Sequence, residues 1–493
     1  MSTLTRRDFL RLSGLVAAGA AVAACGPLQA LEARPVAGWE ELAPADFHAL
    51  NRMTFGARRA DRARAAEIGL QAWVEEQLAP EGIDDLACGL RLRNLDTLGM
   101  DGQQLFDRCD KIFDDVDRET APAQLRQGAL LRQVYSRRQL YEVLVEFWND
   151  HFSIASSKGE CYYLKTVDDR EVIRAHALSS FRDLLWASAH SPAMLTYLDN
   201  QANHRGAPNE NYARELLELH TLGVSGGYEQ RDVMELARCL TGWGVKEHFW
   251  RGEFSFNPDQ HDPGEKFVLG ERIPGGGQVE AESVVERLAR HPSTARFVAA
   301  KLARRFLGSD PGDEIVQKTA RVFEQTRGDL RAVLRVLLLD GLPLRRERYC
   351  RPVHFVTAAL RILEAETDCG PAVQDALLRM GQLPFNWPTP DGYPDHGDAW
   401  QGNLMPRWQF AFALARGEIA GTRIDLSALL AGGEHSPAQI LERLSGLLLG
   451  APLPAADGAR LLASIQAREI SAQDLPSLLT AGLVASPAFQ TLR

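Results

Sequence analysis

Apolar residues recur at three- and four-residue spacing through most of this chain, over residues 44–53, 61–79, 122–150, 168–189, 208–222, 229–241, 280–290, 293–307, 315–326, 329–340, 352–365 and 402–416. One face of an α-helix repeats every 3.6 residues and one face of a strand every second residue, so this spacing commits the chain to a mostly α, multi-helix body. Several segments open on helix-start residues: Ser293 after Pro292, Asp329 after Gly328, and Pro352 at a first turn. Strand-like alternation is confined to Phe254-Ser255-Phe256 and Lys266-Phe267-Val268-Leu269, bounded by Gly264, Gly270 and Gly275 to Gly277, which predicts one small β-hairpin. Residues 383–406 read as a long irregular loop rich in Pro, Trp, Gly and Asp. A loop of this length that is neither repetitive nor poor in aromatics tends to line a site.

The helical body is preceded by a different kind of segment. Thr5-Arg6-Arg7-Asp8-Phe9-Leu10-Arg11 pairs two arginines ahead of two apolar residues, and a weakly apolar run follows from Leu12 to Ala24. A membrane span needs about 20 apolar residues, so this Ala- and Gly-rich run is too short to be one and fits the apolar part of a twin-arginine export signal. It closes on Val22-Ala23-Ala24-Cys25-Gly26, which resembles a lipobox, with Cys25 as the lipid-attachment site. Stable anchoring takes more than one acyl chain, and an acylated Cys25 supplies it. The organisation expected is a signal over 1–25, a tether over 26–38, and a single helical body over 39–493 in which subdomains share contacts. The expected address is the periplasm or outer cell envelope, with the membrane as a partner through the lipid. The twin-arginine route carries folded proteins, so it permits a preloaded cofactor without specifying one.

Net charge narrows the partners. The 493-residue chain carries a formal charge of −10, and loss of Arg6, Arg7, Arg11 and Asp8 with the signal leaves it more acidic still. Nucleic acid is therefore not an expected partner. Beyond Cys25 the cysteines are Cys88, Cys109, Cys161, Cys239, Cys350 and Cys369, with no Cys-x-x-Cys pair to suggest a zinc ribbon or a thioredoxin-type site. A chain of this length can bury a sufficient core without cross-links, so at most one or two disulfides are expected.

Four constellations carry residue types suited to chemistry. On the helix from Leu140 to His151, Glu142, Glu146, Asn149 and Asp150 fall within about 100° of one another and form a carboxylate stripe. Inward carboxylates with a Glu-x-x-His pair hold metals in helical bundles; Glu146-x-x-Asn149 is a near miss, and the plainer alternative is a solvated edge of a buried helix. On the helix read as starting at Asn209, Asn209 and Glu210 sit at the N-terminal end, where a ligand meets free backbone N–H groups. His220 lies on that helix's apolar face, as core histidines do more often than ligands. His261-Asp262, with Lys266 four residues on, reads as an acid, base and cation in a hairpin turn, or as a plain Asx-type turn at the surface. Trp387, Asp391 and Tyr393, followed by His396 and Trp400, interleave aromatics with carboxylates as sugar-binding clefts do, and a Pro-stiffened loop covering a core is the alternative. His151, His176 and His190 are further candidates. The sequence contains no Walker, dinucleotide, His-Glu-x-x-His or haem-attachment motif.

The run from Pro208 to Gly223, continuing through Gly227-Tyr228 and Ala237-Arg238 to Leu240-Thr241-Gly242-Trp243, resembles a bacterial family, domain-of-unknown-function family 1800. Blocks in the same order agree: Leu50-Asn51-Arg52 to Phe55-Gly56, Glu146-Phe147-Trp148 with His151-Phe152, Met194 to Asp199, His261-Asp262 with Gly264 and Lys266, His291-Pro292 to Phe306, Trp387-Pro388 and Asp391-Gly392-Tyr393-Pro394. The resemblance implies an exported helical protein, often encoded beside sulfatase-like proteins, and no established reaction. Members often carry His where this chain has Asn149, which argues against a family-wide metal role at that position here.

Two functions follow as expectations. The first is an envelope enzyme acting on a glycan or other polymer by carboxylate and His chemistry, with a metal as an open addition, in which Glu146, Glu210, His261 and Asp262 are catalytic and Asn209, Lys266, Trp387, Asp391 and Tyr393 bind the ligand. In that reading Glu146, the Asn209 helix start and the His261-Asp262 turn share one cavity. The second is a non-catalytic surface protein that binds a glycan or docks a sulfatase-like hydrolase.

Overall fold

Periodicity becomes helix wherever a cap or a proline sets the start. A computed structural model describes residues 43–109, 117–248, 251–430, 436–466, 471 and 473–493; the signal, Cys25 and the tether lie outside them. The helices that build the centre are α1 (Pro44–Met53), α2 (Thr120–Tyr135), α3 (Gln139–His151), α4 (Cys161–Asp168), α5 (Asn211–Glu218), α6 (Gln230–Cys239), α7 (Val279–Ala289), α8 (Pro292–Leu307), α9 (Pro352–Ile362), α10 (Pro371–Arg379), α11 (Leu404–Ala415) and α12 (Leu475–Ala485). The fold is mostly α with only small two-stranded sheets.

Caps explain the starts. Asp329 accepts from the Ala332 N–H at 3.0 Å, and Pro352 occupies the first turn of α9. For α8 the cap is not Ser293 but His291, whose ring nitrogen accepts the Ser293 N–H at 3.1 Å, because Pro292 already fills the first helical position. The helix expected from Asn209 begins instead at Asn211: the Asn209 side chain accepts the Asn211 N–H at 3.0 Å in a local turn, so Asn209 and Glu210 precede α5.

The single hairpin expected from 254–256 and 266–269 resolves into two. Trp243–Val245 (β1) pairs antiparallel with Phe254–Phe256 (β2), and Lys266–Val268 (β3) with Glu271–Ile273 (β4). The second pair turns on Leu269 and Gly270, both with positive φ (52° and 74°), the backbone that two-residue hairpin turns require. That tight turn closes β3 on the nearest apolar run and leaves β2 to the preceding one.

Buried apolar side chains form one connected core from Phe47 to Leu492. Near its middle lies α3, buried on nearly every side, with Trp148 fully enclosed and its indole N–H donating to the Ala177 carbonyl at 3.0 Å. The stripe on α3 is thus not a solvated edge, and its polar groups must find partners inside the protein. Beyond α4 the chain continues into one π-helical turn, Asp169–Arg174, packed against α3. Cys88, Cys161, Cys239, Cys350 and Cys369 are buried free thiols, and Cys109 is buried as well. Among the described residues no helix is long and apolar enough to cross a membrane.

Candidate functional site

The α3 stripe is answered by cations from distant parts of the chain. At its upper end Arg174, from the π-helical turn, donates to both Glu142 oxygens at 3.0 and 2.9 Å and to Asp169 at 2.9 Å. Asn149 donates to Asp169 at 2.8 Å. One turn further, Arg305 of α8 donates to Glu146 at 2.6 Å, and Arg351 at the start of α9 ties together Glu146 (3.2 Å), Asp150 and Asp395 (3.2 Å). A buried charge is tolerated only when paired in this way.

Arg351 makes two of its carboxylates unlike. Burial, reinforced by Glu146 and Asp395, raises the Asp150 carboxyl to about 7 against the pull of Arg351. Burial also acts to raise Asp395, but Arg351, Arg348, Arg305 and Lys301 outweigh it and hold that carboxyl below its ordinary value. Near neutral pH one carboxyl can therefore carry a proton while its neighbour stays ionised, the arrangement that acid–base pairs need. Arg351 itself is enclosed, while Asp150 and Asp395 keep 21% and 22% of their side-chain surface.

The irregular loop covers this cluster. Gly392, with φ +74°, packs so closely on α3 that a Cβ there would lie 2.1 Å from the Asp150 carbonyl oxygen. The loop is also held by the Phe385 carbonyl accepting from the Ser156 N–H at 2.8 Å, and by the Tyr197 hydroxyl donating to the Pro388 carbonyl at 2.9 Å. Trp387, half-buried, donates its indole N–H to the exposed Asp391 at 2.9 Å, and Tyr393, buried, donates to the Leu383 carbonyl at 2.6 Å. Glu142, Glu146, Asn149, Asp150, Trp387 and Tyr393 line one cavity of about 40 Å³. That volume admits water but not a sugar ring, so a polymer could meet the cluster only from the loop's outer side.

The other expected site residues lie elsewhere. Asn209 donates to the Asp199 carbonyl at 3.4 Å, and Glu210 accepts from Arg214 (3.0 Å) and Gln230 (2.6 Å) in a half-exposed group. His261 is not in a surface turn: it is buried, with Nε2 3.0 Å from Glu280 and Nδ1 2.8 Å from the Thr241 carbonyl. Glu280 also accepts from Lys266 and from the Gly276 and Gly277 N–H groups at 2.7 and 3.0 Å. Asp262 pairs with Arg238 at 2.7 Å, which, with Lys266, holds its carboxyl below its ordinary value despite burial. The single cavity expected to unite Glu146, Glu210 and His261 is thus replaced by three separate networks, because each residue's partners come from a different element. His220 does sit among aromatics, 5.1 Å from the Phe152 ring, and burial pushes it down to about 3.

Arg305, Arg351, Lys301 and Asp395 escaped the sequence reading. The one available signal was indirect: four unanswered carboxyl or amide positions on a helix otherwise buried imply distant cations. A cleft of about 650 Å³, walled by Asp101, Asp168, Glu171, His190, Arg251 and Phe254, was also unforeseen. The π-helical turn separates it from the small cavity: Glu171 and Val172 face the cleft, and Arg174 the cavity. No group of three or more His, Cys, Asp and Glu side chains among the described residues is placed to hold a metal.

A family model described as "Protein of unknown function (DUF1800)" matches residues 48–491, nearly the whole chain, and the chain belongs to that family. No curated protein and no solved structure matches the chain.

Proposed function

We propose that this DUF1800 member is an exported, lipid-anchored envelope enzyme that hydrolyses a glycan or other polymer by carboxylate acid–base chemistry at Asp150 and Asp395. The supporting observation is the divergence of two carboxyls on one guanidinium, Asp150 raised and Asp395 lowered. In this reading protonated Asp150 gives its proton to the leaving oxygen while ionised Asp395 takes one from the attacking water. Glu146, bonded to both Arg305 and Arg351, fixes the guanidinium between them. Half-buried Trp387 and exposed Asp391 of the loop offer an aromatic face and a hydroxyl acceptor to the polymer. Export and anchoring rest on Arg6, Arg7 and Cys25.

The test is release of reducing ends from a panel of polysaccharides, peptidoglycan included, by the purified protein. Asp150→Asn is expected to lower release by about a hundredfold or more, the usual size of a general acid–base contribution, while the far-UV spectrum is unchanged. Full turnover by Asp150→Asn overturns the assignment.

A scaffold that docks a sulfatase-like hydrolase is the second reading, and one observation favours it. Leu404, Met405 and Trp408 on α11, with Leu378 on the adjoining α10, are exposed large apolar side chains.

A further inference from the structure

The charged cluster contains more buried cation than its carboxylates answer. Beside Arg305 and Arg351 lie Arg348, Arg52 and His354; burial and the mutual repulsion of these cations push Arg348 down to about 9 and His354 well below its ordinary value. Their surplus is also visible in hydrogen bonds. Arg305 Nε, Arg348 Nε, Arg351 Nε and two nitrogens of Arg52 are buried without an acceptor, as are both ring nitrogens of His354. Donors left in this state are costly, and an anion nearby is what offsets them.

Two further cations stand one turn apart on α8. Lys301 and Arg304 are half-buried and make no ion pair or hydrogen bond through their side chains among the described residues. The nearest aromatic face to Lys301 is Phe297, 5.6 Å from its ammonium. Burial pushes Lys301 down to about 8, opposed by Asp395 and Asp150 and by Asp391 of the loop, while Arg304 adds to the repulsion. Burial likewise lowers Arg304, with Asp395 opposing. Lys301 precedes by one turn, and Arg304 by one residue, the Arg305 that holds Glu146 at 2.6 Å, so α8 carries both toward the Asp150–Asp395 cluster, unpaired among the described residues.

We infer that the polymer met by this site is an acidic glycan, and that Lys301 and Arg304 receive its anionic groups beside the Asp150–Asp395 pair. The inference rests on that cluster being the active site, and it adds the substrate's charge. Carboxylate and sulfate are the shared ligand chemistry: each offers the oxygens that an ammonium and a guanidinium bind with charge-assisted hydrogen bonds. The rest of the molecule sharpens the selection. A chain of net charge −10 repels a polyanion over most of its surface, so attraction is confined to the few places where cations stand unpaired.

Binding is measured by calorimetry at low salt with three probes: polygalacturonate for carboxylate, dextran sulfate for sulfate, and dextran as the neutral control. At least one acidic polymer is expected to bind with affinity falling as salt rises, and dextran is expected not to bind. The polymer that binds identifies the anionic group. Lys301→Gln with Arg304→Gln should weaken binding about tenfold or more, the size of a lost charged hydrogen bond; Lys301→Arg alone should retain it and controls for folding. Dextran binding as tightly as the acidic polymers, no binding of either acidic polymer, or an unaffected double variant would each overturn the inference. Acidic polymer bound through Lys301 but never cleaved would sink the hydrolase and leave this inference standing. Asp150-dependent cleavage of a neutral polymer alone would do the reverse.

Discussion

At the residue scale, His220 and Glu210 belong to neighbouring stretches of sequence yet answer to different physics. His220 is enclosed with neither ring nitrogen hydrogen-bonded, so His220→Ala empties a packed site and should cost about 2–4 kcal/mol in chemical denaturation. Glu210 is a half-exposed partner of Arg214, and Glu210→Ala should change stability by under about 1 kcal/mol. Asp150 gives a pH signature. Its folded carboxyl is raised to about 7 from 3.8, so between those values the fold holds a proton that the unfolded chain has released. That contribution is complete below the unfolded value and is lost as pH rises through the folded one. The melting temperature of the parent should therefore fall more than that of Asp150→Asn between about pH 5 and pH 8, and turnover should fall as pH rises past about 7. Equal slopes for the two proteins would show that Asp150 is an ordinary carboxylate. The stripe to which Asp150 belongs was legible because four residues of one helix fix their own directions. Arg351 and Asp395 were not, since Arg351 reaches Asp150 across 201 positions of chain and Asp395 joins them only through Arg351, 44 positions before it.

At the element scale, the irregular loop is held to α3 by a backbone approach that only glycine allows. Gly392→Ala adds a methyl where the Asp150 carbonyl already stands and asks a non-glycine residue to keep positive φ. The expected outcome is a displaced loop, a change in Trp387 and Trp400 fluorescence, and loss of turnover with the helical signal retained. Unchanged fluorescence and turnover would mean that the loop does not organise the site. Helices were readable because their periodicity is a local property, as in α3 and α8. Loop composition also marked 383–406 as an ordered covering, and the loop does pack over the polar groups of α3. Pairing was harder: β2 chose β1 over β3 because the positive-φ turn at Leu269 and Gly270 had already closed the second hairpin. His261 misled for a related reason. Its sequence neighbours are polar, while the residue that encloses it, Glu280, comes from α7.

At the scale of the whole molecule, the address is testable independently of the chemistry. Arg6→Lys with Arg7→Lys should leave the protein in the cytoplasm, and Cys25→Ala should release it from membranes without blocking export. Fractionation of Cys25→Ala with membranes at the parental level would exclude the lipid. The six internal thiols give this address a history. Burial raises Cys161 to about 12 and lifts Cys88, Cys239, Cys350 and Cys369 as well, so none of these five presents a reactive thiolate once the core has formed. Before it forms, each is an exposed thiol that an oxidising compartment would join at random to another. The order of events therefore matters more than the destination: a chain that completes its core among reductants arrives with its sulfur chemistry already closed. Rerouted through a pathway that threads unfolded chains, the same sequence should emerge as a ladder of scrambled, disulfide-linked species on a non-reducing gel.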